Sequence, residues 1–255
     1  MMIKNILISQ PKPADPVKNP YNELAAKYNL NIDFQQFIKV EGVPGRDFRK
    51  DKVNILNHTA IILTSRNSVD HFFRICQEMR VEVPETMKYF SISESTSYYL
   101  QKYVQFRKRK IFHGHQNFKD LLDIIKKYPD EKYLLPCSDI HKQSLPKLLE
   151  TSKIKFTKAV IYRTLAADLS NIDINKYDMF VFFSPIGVTS LQKNFPEFQQ
   201  GEKFIGVFGP STAKAVKDAG LRLDLNAPTK TAPSMTMALD QFIEKVFKKN
   251  GIKVL

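Results

Sequence analysis

The residues of this chain best suited to chemistry are hydroxyls set where a strand gives way to a helix. Thr64-Ser65 follows the apolar run Ala60-Ile61-Ile62-Leu63, and Ser184-Pro185 follows Met179-Phe180-Val181-Phe182-Phe183. Ser95-Thr96, behind Ser93-Glu94, and Ser211-Thr212, behind Gly209-Pro210, stand in the same relation to the strands before them. A serine here caps an orphan N–H, and a proline at the first helical position gives up nothing by lacking its own. Such starts turn backbone N–H groups past the carboxyl edge of a sheet, a setting that attracts carboxylates or phosphates. Capping alone accounts for any one of the four. Four in matched positions point to an anionic ligand held in a cleft.

Other reactive side chains are less well placed. Tyr162, near the end of Lys158-Ala159-Val160-Ile161-Tyr162-Arg163-Thr164, is either a proton donor or a core aromatic with a satisfied hydroxyl. Cys137 stands at a strand end, where a nucleophile could sit, but no histidine is placed by sequence to activate it. His113-Gly114-His115 has a metal-like spacing without a third ligand, so no metal is expected. Neither a Gly-x-Gly-x-x-Gly fingerprint nor a Gly-Lys-Ser/Thr phosphate loop occurs, which disfavours dinucleotide and nucleotide-triphosphate chemistry.

The elements that must carry these residues alternate strand and helix. Strands are read at Asn5–Ser9, Ile61–Leu63, Met87–Ile92, Tyr133–Pro136, Lys158–Thr164, Met179–Phe183 and Lys203–Phe208. A turn at Cys137-Ser138-Asp139 follows the fourth, and Asn31–Val40 reads as a single extended segment. Phe118, Leu121, Leu122 and Ile125 follow the i, i+3, i+4, i+7 rule, so Asn117 to Tyr128 reads as an amphipathic helix. Val69, Phe72, Phe73 and Cys76 give the helix after Ser65 a core face. The alternation argues for parallel sheets covered on both faces. The order also repeats: Ser65 to Ser184 and Thr96 to Thr212 span nearly the same offset, as expected of two similar α/β domains.

Composition sets outer bounds. The 43% hydrophobic and 25% charged residues are ordinary for a globular chain of 255 residues. No apolar run nears the roughly 20 residues a membrane helix needs, so no membrane partner is expected. Two cysteines give no disulfide framework, which suits a reducing cytoplasm. The balance of 39 Lys and Arg against 26 Asp and Glu, net +13, suits a polyanionic partner or simply a solvated basic surface. The densest run, Arg107-Lys108-Arg109-Lys110, follows Tyr103 and Phe106 and reads as a solvated connection to a strand rather than a nucleic-acid stacking platform.

Taken together, several motifs resemble the uroporphyrinogen-III synthase family. They are Leu63-Thr64-Ser65, Val160-Ile161-Tyr162-Arg163-Thr164, Phe182-Phe183-Ser184-Pro185-Ile186-Gly187-Val188 and Gly209-Pro210-Ser211-Thr212-Ala213. Leu135-Pro136-Cys137-Ser138, Leu145-Pro146-Lys147-Leu148 and Ala227-Pro228-Thr229 add to the likeness, in the family's order over nearly the whole chain. Ser93 stands where the family often has glycine, and Gln10 precedes Pro11 where a basic residue is usual. The resemblance implies two flavodoxin-like parallel-sheet domains joined by a two-stranded connector, the first discontinuous over residues 1–37 and 166–255, the second inserted over 38–165.

The implied reaction closes the linear tetrapyrrole hydroxymethylbilane into uroporphyrinogen III, inverting the last pyrrole ring through a spiro intermediate and releasing water. No cofactor is implied. The family's tyrosine maps to Tyr162, the expected proton donor or positioning hydroxyl. Thr64, Ser65, Ser95, Ser184, Gly187, Ser211 and Thr212 would hold the carboxylates of this small-molecule polycarboxylate substrate, with Arg66 and Lys203 as charge partners. A monomer without nucleic acid is expected, and the rival reading is a non-catalytic anion- or RNA-binding two-domain module.

Overall fold

The structure, a computed structural model, describes residues 2–105, 107–115, 118–140, 144–249 and 251. The expected helix start at Asn117 and the aromatic Phe106 lie outside them. The chain divides into two compact units, Met1–Lys39 with Leu165–Leu255, and Val40–Thr164.

The first unit carries a five-stranded sheet. In chain order its strands are β1 (Asn5–Ile8), β2 (Asn31–Phe34), and, numbered over the whole chain, β9 (Met179–Phe182), β10 (Phe204–Phe208) and β11 (Leu225–Ala227). They lie in the order β11-β10-β9-β1-β2, and every pair is parallel. The four residues of β9 are all buried, so this strand packs on both faces, and its unbroken apolar sequence follows from that. One face carries Leu7, Phe180, Phe182 and Val207, with Val188 and Leu191 from helix α7 (Pro185–Asn194) and Val216 from α8 (Pro210–Asp218). The other carries Ile6, Ile8, Met179 and Val181 against Leu24 and Tyr28 of α1 (Asn22–Tyr28) and Leu239, Ile243 and Phe247 of α9 (Met235–Lys249).

The second unit builds a six-stranded sheet from β3 (Ile38–Gly42), β4 (Ala60–Leu63), β5 (Lys88–Ser91), β6 (Ile111–His113), β7 (Tyr133–Ser138) and β8 (Phe156–Ala166), in the order β3-β8-β7-β4-β5-β6, with β3 and β8 crossing the boundary between the units. Helix α3 (Arg66–Glu78) buries Val69, Phe72, Ile75 and Cys76 on one face. Helices α5 (Phe118–Ile125) and α6 (Ser144–Thr151) cover the other, with Leu121, Leu122, Ile125 and Leu149 buried there. Short helices α2 (Gly45–Phe48) and α4 (Glu94–Leu100) complete it.

Three local differences from the sequence expectations have physical causes. Residues 31–40 do not form one extended segment. The chain breaks at Gln35–Phe37, because the Phe37 ring is fully buried edge-on against Phe182 at 5.8 Å, and the two halves join different sheets. β3 and β8 run antiparallel, as the bonds Val43 N–H to Ile161 O (3.0 Å) and Ala167 N–H to Phe37 O (2.9 Å) require. The expected turn after Pro136 is instead a continuation of β7 through Cys137 and Ser138, paired with β8.

Candidate functional site

In both sheets the chain reverses its direction of strand addition at one point. In the five-stranded sheet this falls between β1 and β9, in the six-stranded one between β4 and β7. Loops leaving a parallel sheet part at such a switch, so ligands settle beyond the carboxyl ends there. At the second switch, β4 and β7 pair only through Ala60–Tyr133 and Ile61–Leu134. Pro136, two residues on, has no N–H to offer β4 and pairs only with β8, at Ala159. Above that point lies a cavity of about 570 Å³, within the roughly 300–1,000 Å³ common to small-molecule sites.

Thr64, Ser65 and Tyr162 line this cavity's polar side together with Ser138, and Leu135, Phe118, Leu145 and Leu148 its apolar side. The structure thus gathers three of the residues expected to touch substrate, Thr64, Ser65 and Tyr162, in one cavity. A smaller cavity of about 210 Å³, around Pro84, Met87 and Tyr89, opens near the amino end of β5, away from the hydroxyl-rich starts.

Ser65 caps α3 through its side chain, accepting from Ser68 N–H at 3.1 Å. Ser68, fully buried, returns the favour: its Oγ accepts from the N–H groups of Thr64 (3.1 Å) and Ser65 (3.0 Å) and donates to Ser65 O. This reciprocal cap consumes the N–H groups of Thr64 and Ser65 themselves. What those two residues present to the cavity is therefore their hydroxyls. Arg66 is exposed, with its guanidinium 5.3 Å from the Tyr99 ring centre, and Ser95 is exposed on α4, its Oγ 3.1 Å from Ser93 Oγ. Neither lines the cavity.

Tyr162 reaches the cavity through a bulge. Cys137 pairs with Val160 and Ser138 with Tyr162, so Ile161 is an extra residue in β8. The extra residue turns two successive side chains, Ile161 and Tyr162, into the same core cluster. Burial pushes the Tyr162 phenol above its ordinary value, with the Ser65 hydroxyl pulling the other way. Its ring stacks on His71 of α3, ring centres 5.1 Å apart and planes 21° from parallel. Nearby, Asp139 accepts from Ser138 Oγ and from the N–H groups of Thr164 and Ile140. Burial alone would raise this carboxyl, but those three donors and Arg163 hold it below the usual carboxylate range. Cys137 also lines the cavity as a free thiol, pushed up to about 11 by burial, and so is no ready nucleophile.

In the first unit Ser184 caps α7, accepting from Gly187 N–H at 3.2 Å. Gly187 is buried, and a methyl at its Cα would stand 3.6 Å from the hydroxyls of both Ser184 and Ser9, so these three residues meet at the β1–β9 switch. Helix α8 begins without any side-chain cap: Gly209 takes φ +95°, Pro210 follows, and among the described residues the first-turn N–H groups of Ser211 and Thr212 have no side-chain acceptor. Lys203 does not join them. It precedes β10 and donates to Tyr177 O (2.7 Å) and Asn175 O (3.0 Å), at the amino edge, one strand length or roughly 15 Å from Ser211. A residue before a parallel strand cannot share an edge with the residues after it.

Ser68, Ser9 and His71 belong to these sites without having been picked out in sequence. Ser68 alone carried a signal there, as the fourth residue of a Ser-x-x-Ser cap. Among the described residues no group of three or more His, Cys, Asp or Glu is placed to hold a metal ion, and no helix is long and apolar enough to cross a membrane.

Fold and site define a class: a two-unit flavodoxin-like α/β protein, its first unit discontinuous, with a small-molecule cavity at a carboxyl-edge switch point. The family model of uroporphyrinogen-III synthase HemD matches residues 20–237, and the chain belongs to that family. The fold is shared with the crystal structure of uroporphyrinogen-III synthetase from Helicobacter pylori 26695, at TM-score 0.59 and 17% identity, covering 95% of this chain and 100% of that one. A mutant uroporphyrinogen III synthase from the extremely thermophilic bacterium Thermus thermophilus matches at TM-score 0.52 and 15% identity, covering 95% and 99%. No curated protein gives a significant sequence match. The activity is that of the family: the enzyme is a lyase that cyclises hydroxymethylbilane with inversion of the D ring, giving uroporphyrinogen III and water. The reading as a non-catalytic anion- or RNA-binding module is not favoured.

Proposed function

We propose that Tyr162 is the hydroxyl that meets the departing hydroxyl of hydroxymethylbilane, and that the hydroxyl-rich helix starts hold the substrate's carboxylates. The observation that carries this reading is the meeting of Tyr162, Thr64 and Ser65 in one cavity at the β4–β7 switch. The reaction starts when the terminal hydroxyl leaves, driven by the electrons of its own pyrrole. A phenol raised above its ordinary value stays protonated at neutral pH. It therefore gives its proton to the departing hydroxide, which leaves as water, and the phenolate regains a proton from the macrocycle when the closed ring loses one to restore its last pyrrole. The apolar side of the cavity, Leu135, Phe118, Leu145 and Leu148, suits a pyrrole face and keeps water from the cation left behind.

Thr64 and Ser65 then act through their hydroxyls, with Arg66 and Ser95 further out on the same edge. In the first unit Ser184 offers its hydroxyl, with Gly187 leaving room beside it, and the uncapped start of α8 offers the N–H groups of Ser211 and Thr212 and the Ser211 hydroxyl to carboxylates, the Thr212 side chain being buried. Lys203 is left out by its place at the amino edge. The working form is a monomer in a reducing cytoplasm without a nucleic-acid partner. Two free buried thiols support that compartment, and sedimentation at working concentration checks the monomer.

The deciding experiment supplies hydroxymethylbilane from a deaminase and resolves the isomers by chromatography. Tyr162→Phe is expected to slow formation of the type III isomer by about 10²-fold or more without abolishing it. An unchanged rate removes Tyr162 from the chemistry. Type I product alone, which forms without a catalyst, overturns the whole reading.

A further inference from the structure

The bulge that aims Tyr162 is held by a side-chain assembly on α3 that the reaction, as described, does not use. Arg74 commits its guanidinium in four directions. Nη2 donates to Ile161 O (2.9 Å), the carbonyl of the bulged residue, and to Val43 O (3.0 Å); Nη1 pairs with Glu78. Nε donates to His71 Nδ1 at 3.1 Å. Glu78 in turn accepts from Gly45 N–H at 2.6 Å, which ties the far side of the assembly to α2. The last residue of β3 makes room for it: a Cβ on Gly42 would lie 2.6 Å from Arg74 Cζ and Nε.

The chemistry of arginine fixes the state of the histidine. A guanidinium has only donors, so the Nδ1 that receives one must present a lone pair, and the neutral ring carries its proton on Nε2. Burial, and after it the Arg74 charge, lower the His71 value, while Asp70 pulls it up. The uncharged ring lies flat on the Tyr162 phenol. A flat neutral partner restricts the phenol's rotation about its ring axis without placing a cation beside it, which would favour the phenolate and remove the donor.

We infer that His71 is a positioning residue for Tyr162, held face-on to the phenol in its Nε2–H form by Arg74, which also pins the bulged carbonyl of Ile161. The inference rests on the reading of Tyr162 as the hydroxyl that meets substrate. It acts on orientation, so its signature lies in turnover rather than in substrate binding.

The test pairs two substitutions of similar volume, made in the wild-type and Tyr162→Phe backgrounds and assayed by isomer-resolved turnover after melting curves show the fold retained. Leucine fills the space but has no flat face; phenylalanine keeps the face without the nitrogens. His71→Leu is expected to lower kcat about tenfold with KM within about twofold of wild type, and His71→Phe to restore most of that loss. In the Tyr162→Phe background His71→Leu should cost less than about twofold, because the group it positions is gone. Equal rates for the leucine and phenylalanine variants, or the same loss in both backgrounds, overturn the inference while leaving Tyr162 in place. A Tyr162→Phe enzyme with normal turnover overturns both.

Discussion

Gly187 shows how much one side chain decides at the β1–β9 switch. It lies in the first turn of α7, where alanine forms helix better by about 0.5–1 kcal/mol. The added methyl would meet Phe182 Cδ1 at 3.4 Å and the hydroxyls of Ser184 and Ser9 at 3.6 Å, contacts of ordinary van der Waals size. Gly187→Ala should therefore raise the melting temperature. If the hydroxyls of Ser9 and Ser184 face a substrate carboxylate, that methyl also crowds it, and KM should rise several-fold with kcat little changed. Melting curves with steady-state kinetics check both, and a stabilised variant with unchanged KM takes Gly187 out of the binding set.

At the scale of elements, the start of α3 stands on Ser68 as much as on Ser65. The Ser68 hydroxyl takes two backbone N–H groups at the strand-to-helix turn, from a position with no exposure to solvent. Ser68→Ala leaves both without an acceptor, at a cost of about 1–3 kcal/mol, and frees the turn that presents Thr64 and Ser65. Urea denaturation should show the lower midpoint, and turnover should fall with it. Ser68→Thr, which keeps the oxygen, should recover most of the stability. The bulge in β8 is the matching device on the other wall: an ordinary alternation would send Ile161 and Tyr162 to opposite faces of the sheet.

Over the whole molecule, the +13 charge acts on association with an anionic substrate. Raising ionic strength from about 0.05 to 0.5 M shortens the screening length severalfold, so KM should climb while kcat holds. A KM indifferent to salt would leave recognition to uncharged donors alone. Stability carries its own pH signature. Hydrogen bonding to Lys176 lowers Asp33, Lys27 does the same for Asp240, and Asp139 is held low by its donors. Each is lower folded than unfolded, so its contribution is present above an unfolded value near 4 and is lost as pH falls through the folded value. His71, also lowered, adds to the loss as pH drops below about 6.5, where the unfolded imidazole gains its proton first. Melting temperature should therefore decline from neutral toward acid, steepest below pH 4, and His71→Phe should flatten only the upper part of that slope.

What the sequence determined by itself is local. Unbroken apolar runs such as Met179–Phe182, followed by Ser-Pro or Thr-Ser, specify a buried parallel strand and a capped helix, because packing on both faces and orphan N–H groups leave few other solutions. Those local rules carried the α/β class, the helix starts and the motifs by which the family is recognised. Register and edge were decided only in three dimensions. Lys203 sits beside the right strand but at its wrong end, where backbone carbonyls claim its ammonium. Cys137 and Ser138 extend β7 because β8 offers partners that no local turn signal reveals. Tyr162 owes its direction to one residue of β8 without a partner in β7, and to an arginine and a histidine on a helix 88 and 91 residues earlier in the chain. A bulge is a mismatch between two strands, so it cannot be written in either strand alone.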